Sequence, residues 1–424
     1  MRTSFKKRLS LVAGLTAAAF ALVGCTAGGT PQETPKPSSS ATDDGSAAPA
    51  EDIEMTFLTF EIKKLLGENS PPCRQQLFQS GQAPNIISSI SPDGFAQKDL
   101  IAPWTPEELE AAGLVDLTAG AIDGKVYGLN IGVQPIPMVY YNKTMFKEAG
   151  IDKAPTSYAE LMGAGTQLKA AGFNAFEVGG GGVDTWVATF ALNGIVSADM
   201  LIDTPDWFLK RSKDEVKFTD PEFIAAAQKT ADLKANGFID PDGLTRSYSD
   251  VEQAFLSGKA AMYPMGSWFS LAADGADTDF EIGVFGWPSD AGTNVVPVVS
   301  GGGLMVNAEA PDVDLAKKWI LAYELDKENM DAGVKTDGLM YNIEGYEFPE
   351  GMGPVFTETA NALTTAQETG NTAPAWGNIN GDGSLPPGFN DKLAPAIIDL
   401  FNGKMDAQKF AEYLDQQYAA LAVN

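Results

Sequence analysis

Hydrophobic and polar positions along the chain alternate between the period of strands and the period of helices. Ile53, Met55 and Phe57 alternate with polar neighbours, which predicts a first strand. Short apolar runs predict further strands at 84–90, 126–129, 138–141, 176–178, 260–263, 282–285 and 304–306. Because helical patterns of ten or more residues separate many of these runs, the chain is predicted to form an α/β fold with largely parallel sheets.

Helix starts are marked by capping side chains followed by apolar positions. Thr105 and Ser157 each stand three residues before a glutamate, and Asp220 stands before a proline. A further capping box, Ser249 with Glu252, predicts a helix that ends at Gly258. Other predicted helices are 74–78, a helix marked by Leu315, Lys318, Trp319, Ala322 and Tyr323, and a C-terminal helix with Phe410, Leu414, Tyr418 and Leu421 on one stripe.

The stretch 260–268 organises the rest of the chain. Residues 260–263 read as a buried strand, Pro264 is expected to end it, and a loop then presents Trp268 just beyond the strand end. In open α/β sheets, ligands bind outside the carboxyl ends of strands. Trp268 therefore either fills the core beside a glycine turn or offers a flat apolar face to a ligand.

Composition narrows the class of protein. A chain of 424 residues exceeds what one core supports, so two lobes are expected. The formal charge of -27 argues against nucleic acid or anionic lipid as a partner and favours neutral or cationic ligands. With no histidine and two cysteines, the chain lacks the usual proton shuttle and the ligands of a structural zinc site. We expect neither a metal nor a cofactor.

The N-terminal residues have the features of an export signal followed by a lipidation site. Basic residues precede an apolar run that is too short and too rich in alanine and glycine for a membrane span, which predicts an export signal at 1–24. Cys25 follows small residues, as in the bacterial lipobox, so its thiol is predicted to be acylated; an ordinary secretory signal remains the alternative. Residues 25–51, rich in Pro, Ser, Thr and Gly, are expected to form a flexible tether. The chain is therefore predicted to be exported and lipid-anchored at the outer face of the cytoplasmic membrane.

Several segments occur in an order and spacing that carry a family resemblance. They are 79–86, 113–117, 123–129, 139–143, 255–262, 266–268 and 301–304. Together they resemble the extracellular solute-binding proteins of family 1, the sugar-binding lipoproteins of ABC importers, over about residues 79–325.

The resemblance implies a fold and its domains. It implies a two-lobed, periplasmic-binding-protein-like fold of type II, with the ligand in a cleft between hinged lobes. The N-terminal lobe would comprise 52–135 and 299–335, and the C-terminal lobe 136–298 and 336–424. The segment 61–73 is shorter than the helix and strand of the family, so we expect a shortened first βαβ unit.

The resemblance also implies a function. The chain would capture a carbohydrate, most simply an oligosaccharide, outside the membrane and deliver it as a monomer to the transmembrane subunits of an ABC permease, without chemistry. Two alternatives stay open: a tethered extracellular glycosidase or lyase, and the same fold with an amino acid, polyamine or metal as its ligand. A glycosidase needs two carboxyl groups about 5–10 Å apart across the scissile bond, and no motif specifies such a pair.

The candidate ligand-binding residues follow from sugar chemistry. Flat aromatic side chains suit the C–H faces of a pyranose, and carboxylates, amides and hydroxyls suit the rim of hydroxyl groups. A core position is the structural alternative for Trp268 and Trp186, and a surface or interlobe contact is the alternative for Trp376. A solvated loop side chain or a turn cap is the alternative for each candidate at the rim. The candidates for the faces are Trp268, Trp186 and Trp376, and those for the rim are Glu61, Ser91, Asp93, Gln134 and Asp184.

Overall fold

A computed structural model describes much of the chain from residue 57 onward. The described residues are 57–58, 77–78, 80–88, 92–114, 117, 120–240, 242–299, 302–341, 343, 345–377, 379 and 381–422. They fall into two units, of which the smaller contributes 77–78 and 80–82 and the larger the remainder. In the smaller unit, the helical residues Leu77 and Phe78 accept the N–H groups of Gln82 and Gly81. Among the described helices, none has the length and apolar character needed to cross a membrane.

The helices of the larger unit are numbered along the chain. They are α1 Asp93–Ala96, α2 Pro106–Ala111, α3 Lys143–Glu148, α4 Tyr158–Ala170, α5 Phe190–Val196, α6 Trp207–Ser212, α7 Pro221–Ala235, α8 Tyr248–Leu256, α9 Phe269–Gly275, α10 Val313–Glu324, α11 Lys327–Asp337, α12 Pro354–Thr369, α13 Phe389–Phe401 and α14 Ala407–Ala422. Shorter turns of 3₁₀ helix occur at Thr185–Thr189, Gly243–Thr245 and Gly381–Gly383, and Ser197–Leu201 is a π-helical turn.

The strands form three sheets. They are β1 Phe57–Leu58, β2 Ile86–Ile87, β3 Ile101–Ala102, β4 Gly128–Leu129, β5 Gly132–Pro135, β6 Met138–Asn142, β7 Asn174–Phe176, β8 Ala260–Met265, β9 Ile282–Phe285, β10 Trp287–Pro288, β11 Asn294–Val299, β12 Leu304–Asn307, β13 Met340–Tyr341 and β14 Thr372–Pro374. The first sheet has the order β1-β2-β12-β3, with β4 also on β12, and the second has β7-β8-β6-β9. The third has β10-β11-β5-β13, with β14 on β11.

The expectation of largely parallel sheets is wrong for the described strands. Only β1–β2, β7–β8 and β11–β14 pair in parallel there, and the other ladders are antiparallel. The reason is connectivity, since β6 and β12 enter their sheets directly from β5 and β11 of the third sheet. Without a helical crossover, the chain has no requirement to return in the same direction.

Three apolar clusters hold these sheets and helices together. One buries Ile86, Trp104 and Leu129 of the first sheet region against Ile320 of α10. A second packs α5, α7, α13 and α14 around β8. A third lies under α8, α9 and α12 and includes Tyr263 and Phe269. The C-terminal stripe is confirmed, because Phe410, Leu414 and Tyr418 are buried and Leu421 packs against them.

The structure confirms two of the predicted helix starts and refines a third. The Thr105 hydroxyl accepts the Glu108 N–H at 3.2 Å, and the Glu108 carboxylate accepts the Thr105 N–H at 2.8 Å, which is a full capping box. The helix after Asp220 begins at Pro221 as expected. Ser157 caps α4, but the Glu160 carboxylate turns outward to the N–H of Thr156.

Other local predictions are wrong in detail. The strand does not end at Pro264 but continues to Met265, with Pro264 paired opposite Val139 of β6. The strand predicted at 176–178 lies instead at Asn174–Phe176. The helix marked by Leu315 to Tyr323 is present as α10, but its buried positions are Ala316, Lys317 and Ile320, and Tyr323 is 44% exposed.

Candidate functional site

Four aromatic side chains from three segments meet beside the end of β8. The Trp186 ring lies 5.3 Å from Tyr248, 5.4 Å from Phe190 and 6.4 Å from Trp268, measured between ring centroids. Phe190 is buried beneath the indoles, whereas Trp186 is 37% exposed and Trp268 and Tyr248 are half-buried. We call Trp186, Phe190, Tyr248 and Trp268 the aromatic cluster.

Trp186 is held by a glycine-rich loop that runs against the backbone before α8. The N–H groups of Gly180 and Gly181 both donate to the Arg246 carbonyl, at 3.2 and 2.8 Å. A Cβ on Gly181 would meet the Thr245 carbonyl oxygen well inside contact distance. The two backbones can lie this close only because residue 181 has no side chain. The loop then enters the 3₁₀ turn that carries Trp186.

Trp268 is placed by the backbone that follows β8. Its indole folds over Gly266, where a Cβ would overlap the ring. The Ser267 N–H donates to the Pro135 carbonyl at 3.0 Å, and the Ser267 hydroxyl donates to the Gly338 carbonyl at 2.9 Å. Trp268 is therefore fixed to β5 and to the end of α11 as well as to β8.

A chain of hydrogen bonds connects the cluster to a carboxylate on α8. The Trp268 Nε1–H donates to the Tyr248 Oη at 3.2 Å, and the Tyr248 hydroxyl donates to the Glu252 Oε2 at 2.9 Å. Burial, with the negative charge of Glu252, raises the pKa of Tyr248 to about 12. The phenol therefore keeps its proton at neutral pH and can serve as donor to Glu252.

Two of the predicted rim residues lie at this cluster or close to it. Asp184 accepts the backbone N–H of Tyr248 at 3.0 Å, so it joins the Trp186 loop to the first turn of α8. Gln134 precedes Pro135, whose carbonyl accepts the Ser267 N–H. The Gln134 Nε2 donates to the Asp337 carbonyl at 3.1 Å. Asp184 and Glu252 thus bring two carboxylates to Tyr248 within the aromatic cluster, while the Gln134 amide binds the end of α11.

Trp376 does not join the aromatic cluster. It is fully buried, stacks on Phe208 at 5.7 Å and meets Phe223 edge-on at 5.4 Å, and its Nε1–H has no partner in the described part of the structure. The structure therefore puts Trp376 in the core, which is neither a ligand face nor the surface or interlobe contact that was its structural alternative. A ring enclosed on all sides has no face left for a ligand, so we leave Trp376 out of the site.

The other sequence-based candidates lie outside what the structure describes. Glu61, Ser91 and Cys25 are outside the described residues, as are the leader, the tether and the segment 61–73. Asp93 is the first residue of α1, and its side chain is outside the described part.

Sequence reasoning missed Tyr248 and Phe190, and it placed the start of α8 two residues late. The N-cap is Ser247, whose hydroxyl accepts the Asp250 N–H, and the Asp250 carboxylate completes the capping box. Both Ser247-x-x-Asp250 and Ser249-x-x-Glu252 fit the box pattern, so the pattern alone could not decide. Because α8 is capped by Ser247 and Asp250, Glu252 does not cap the helix. It lies one turn after Tyr248, where its carboxylate accepts the Tyr248 hydroxyl.

Two concave surfaces lie elsewhere on the described part of the molecule. A solvent-open groove of about 550 Å³ lies between α7 and the turn from α13 to α14, lined among others by Lys234, Phe401 and Lys409. A smaller depression of about 190 Å³ is lined by residues such as Leu385 and Asn390. Neither contains a residue of the aromatic cluster. Among the described residues, no group of three or more acidic or cysteine side chains is arranged to hold a metal ion.

The chain matches a known protein family over most of its described length. Residues 75–345 match the family model described as bacterial extracellular solute-binding protein. The fold is similar to that of a solved chitin oligosaccharide binding protein, with a TM-score of 0.69 and 23% sequence identity, over 83% of this chain and 87% of that one.

Two curated relatives are similar over shorter regions. The multiple sugar-binding protein of Streptococcus mutans is 27% identical over 234 residues, which is 52% of this chain and 53% of the relative. The sn-glycerol-3-phosphate-binding periplasmic protein UgpB of Brucella abortus is 29% identical over 129 residues, 30% of this chain and 28% of the relative. The chain thus spans about half the length of the first relative and less than a third of the second.

Proposed function

This chain belongs to the bacterial extracellular solute-binding proteins, and from that premise we propose that it captures a carbohydrate outside the membrane and delivers it to an ABC permease. The family is one of binding proteins, so the chain is a binding protein and not the glycosidase or lyase considered as an alternative. Family membership also implies export from the cytoplasm.

The observation that carries the carbohydrate proposal is the pair of indoles, Trp186 and Trp268, beside Tyr248, which binds the carboxylates of Asp184 and Glu252. Indole faces pack on the C–H faces of a pyranose, and carboxylates accept hydrogen bonds from its hydroxyl groups. The resemblance to a multiple sugar-binding protein supports the same ligand class.

A polyamine fits this site less well than a saccharide. A polyamine site needs carboxylates but gains little from broad apolar faces, whereas here four aromatic rings stand against Asp184 and Glu252. We therefore propose the saccharide first and keep a cationic ligand as an outcome of the test.

We propose that the cluster lies on one wall of a cleft whose two lobes have the predicted boundaries. The first sheet and α10 fall within 52–135 and 299–335, and the second sheet with α12, α13 and α14 falls within 136–298 and 336–424. Three strands of the third sheet, β5, β11 and β13, lie at or near the proposed crossings at 135/136, 298/299 and 335/336. Those crossing strands would be the hinge, and an open wall would become an enclosed site when the lobes close.

We also propose that Cys25 is acylated and that residues 25–51 tether the binding unit to the outer face of the membrane. The support is the lipobox-like end of the leader and the composition of the tether. A tether raises the concentration of captured ligand near the permease. In cells that process lipoproteins, Cys25→Ser should move the protein from the membrane fraction into the medium, and membrane retention of that variant would contradict the proposal.

The carbohydrate proposal is tested by a thermal-shift screen of the full mature chain. We expect one or more mono- or oligosaccharides to raise the melting temperature, because a ligand that binds only the folded state stabilises it by mass action. Product analysis after long incubation should recover the sugar unchanged.

The screen includes ligands of the competing classes. A shift with a polyamine or an amino acid and none with any saccharide would reject the carbohydrate and retain the binding fold. Cleavage of an oligosaccharide would reject binding without chemistry.

A further inference from the structure

We propose that Tyr248 is the positioning residue of this site: it fixes both indoles at once, through its hydroxyl to Trp268 and through its backbone and ring to the Trp186 loop. The inference rests on the proposed function, because it concerns how the same indoles are presented to a saccharide. It assigns to Tyr248 and Glu252 a role that neither the fold nor the family match requires.

Tyr248 makes three independent contacts at the cluster. Its hydroxyl accepts the Trp268 indole N–H at 3.2 Å. Its backbone N–H donates to the Asp184 carboxylate at 3.0 Å, two residues before Trp186. Its ring lies 5.3 Å from the Trp186 ring. One residue at the start of α8 therefore connects two segments that are 82 positions apart in the sequence.

Glu252 completes the arrangement from the next turn of the same helix. Its Oε2 accepts the Tyr248 hydroxyl proton at 2.9 Å, which orients the remaining lone pairs of Oη toward the indole. The Tyr248 oxygen can then accept the Trp268 Nε1–H while its own proton goes to Glu252. The raised pKa of Tyr248, about 12, is consistent with a phenol that stays protonated and donates to Glu252.

The arrangement has a consequence for recognition. The Trp268 N–H and the Tyr248 O–H are both used within the protein, so neither is available to donate to a ligand. Trp268 then offers only its face, and polar recognition beside it depends on neighbouring acceptor groups such as the Asp184 carboxylate. A ligand must supply the donors, as the hydroxyl groups of a sugar do.

Hydroxyl removal tests the role of Tyr248. Tyr248→Phe keeps the ring and the backbone N–H but removes the bond to Trp268, so the affinity for the best saccharide of the screen should fall about 3- to 10-fold, measured by calorimetric titration. The melting temperature of the ligand-free protein should stay close to the wild-type value. Tyr158→Phe is the matched control, because it removes a tyrosine hydroxyl that donates to the Lys229 carbonyl at 3.0 Å in a different core, and it should bind as the wild type does.

Glu252 variants distinguish an effect through the Tyr248 hydroxyl from a direct effect of the negative charge on the ligand. Glu252→Ala removes the acceptor of the Tyr248 proton and should lose as much affinity as Tyr248→Phe. Glu252→Gln supplies a carbonyl oxygen in the same place and should restore most of that loss. An equal loss in Glu252→Gln would overturn the positioning role, because it would mean that the negative charge acts on the ligand itself.

Tryptophan fluorescence of the ligand-free protein gives a readout that does not depend on any sugar. Tyr248→Phe should change the emission spectrum, because the Trp268 N–H loses its partner, and the change should vanish when Trp268 is already replaced by Phe. Equal spectral changes in both backgrounds would show that Tyr248 does not act through Trp268. If no saccharide binds the wild-type protein, the proposed function fails, while this fluorescence cycle still decides whether Tyr248 positions Trp268.

Discussion

Two tryptophans with similar sequence surroundings differ in how far they are exposed to solvent. Trp186 and Trp376 both follow glycine- or proline-rich segments, and both were candidates for a ligand face. Trp186 is 37% exposed beside Tyr248, whereas Trp376 is fully enclosed by Phe208, Phe223 and their neighbours. The difference is tertiary, since it depends on which aromatic side chains arrive from distant segments.

Alanine variants of the two tryptophans test whether Trp186 binds the ligand and Trp376 stabilises the core. Trp186→Ala should weaken saccharide binding at least 10-fold and change the free energy of unfolding little, because the ring is partly in water. Trp376→Ala should lower the free energy of unfolding by about 3–5 kcal/mol, because it leaves a cavity in a packed aromatic core. Denaturant unfolding and calorimetric titration of both variants provide the measurement.

The reverse outcome would contradict the assignment. A destabilised Trp186→Ala protein with intact affinity would make Trp186 a structural residue. A stable Trp376→Ala protein without affinity would return Trp376 to the site.

Only part of the site was predictable residue by residue. Trp268 could be predicted because it follows a buried strand end, where ligands bind in α/β sheets. Tyr248 could not, because its importance depends on contacts with residues 20 and 64 positions away that no local pattern encodes. Asp184 accepts the Tyr248 backbone N–H in the structure, and its contact with a ligand remains a proposal.

At the scale of elements, helix ends were predictable and register was not. Thr105 and Glu108 form the predicted box, and Gly258 ends α8 with a positive φ of 71°. The start of α8 was misplaced because two overlapping boxes satisfy the same pattern. The apolar pattern did not mark Lys317 of α10, which is buried with its ammonium 2.7 Å from the Glu108 carboxylate. Pairing of a buried lysine is a tertiary event.

Glycine substitutions test how the Trp186 loop is placed. Gly181→Ala should push the loop away from Thr245 and weaken saccharide binding, because the added Cβ meets a backbone carbonyl that cannot move freely. Gly163→Ala is the control: it lies within α4 with open space around its Cβ, and it should stabilise the protein by about 0.5–1 kcal/mol. Affinity and thermal unfolding of both variants are the measurements. Unchanged affinity in Gly181→Ala would mean that the loop position does not matter for binding.

The C-terminal end of α10 predicts a pH dependence of stability. Burial raises the pKa of Glu324 from 4.5 to about 7, and the Ile131 N–H, just before β5, donates to its carboxylate. Because the folded state holds this proton more tightly than the unfolded state, the stabilising contribution is complete below pH 4.5 and is lost as the pH rises toward 7. The upper limit of the effect is about 3 kcal/mol.

Comparison with Glu324→Gln isolates that contribution. The free energy of unfolding of the wild type, relative to the variant, should decrease between pH 4.5 and 7 and stay level above pH 7. The exposed Glu309→Gln variant controls for the substitution itself. A difference that stays constant from pH 4 to pH 8 would show that Glu324 titrates normally.

The negative charge of the whole molecule disfavours anionic ligands. The chain carries a formal charge of -27, and the charges that bear on the Tyr248 hydroxyl, those of Glu252 and Asp184, are negative as well. One curated relative is a glycerol-phosphate-binding protein, but an anionic ligand would meet repulsion both at this cluster and from the whole surface.

A comparison of neutral and anionic ligands tests this limit. A phosphorylated or uronic-acid analogue should bind at least 10-fold more weakly at low salt than the neutral saccharide of the same size. The gap should narrow as the ionic strength rises, because salt screens exposed charges. Tighter binding of the anionic analogue would contradict the predicted preference for neutral ligands.

The α/β class and the two-lobed fold were predictable from the order of elements and the resemblance, and the match to solved binding proteins bears them out. The relative direction of the strands could not be predicted, because β6 and β12 enter their sheets from the third sheet rather than through helices. Strand direction depends on which sheet the chain has just left, and apolar runs carry no information about that.

The central claim is that Trp186 and Trp268 hold a saccharide between hinged lobes and release it intact. A crystal structure of the protein with its most stabilising saccharide tests it most directly. The account predicts a sugar ring within about 4 Å of an indole face of the aromatic cluster, with hydroxyl groups donating to carboxylates beside it. A saccharide bound elsewhere, such as in the groove between α7 and the turn from α13 to α14, with the cluster left bare, would contradict it.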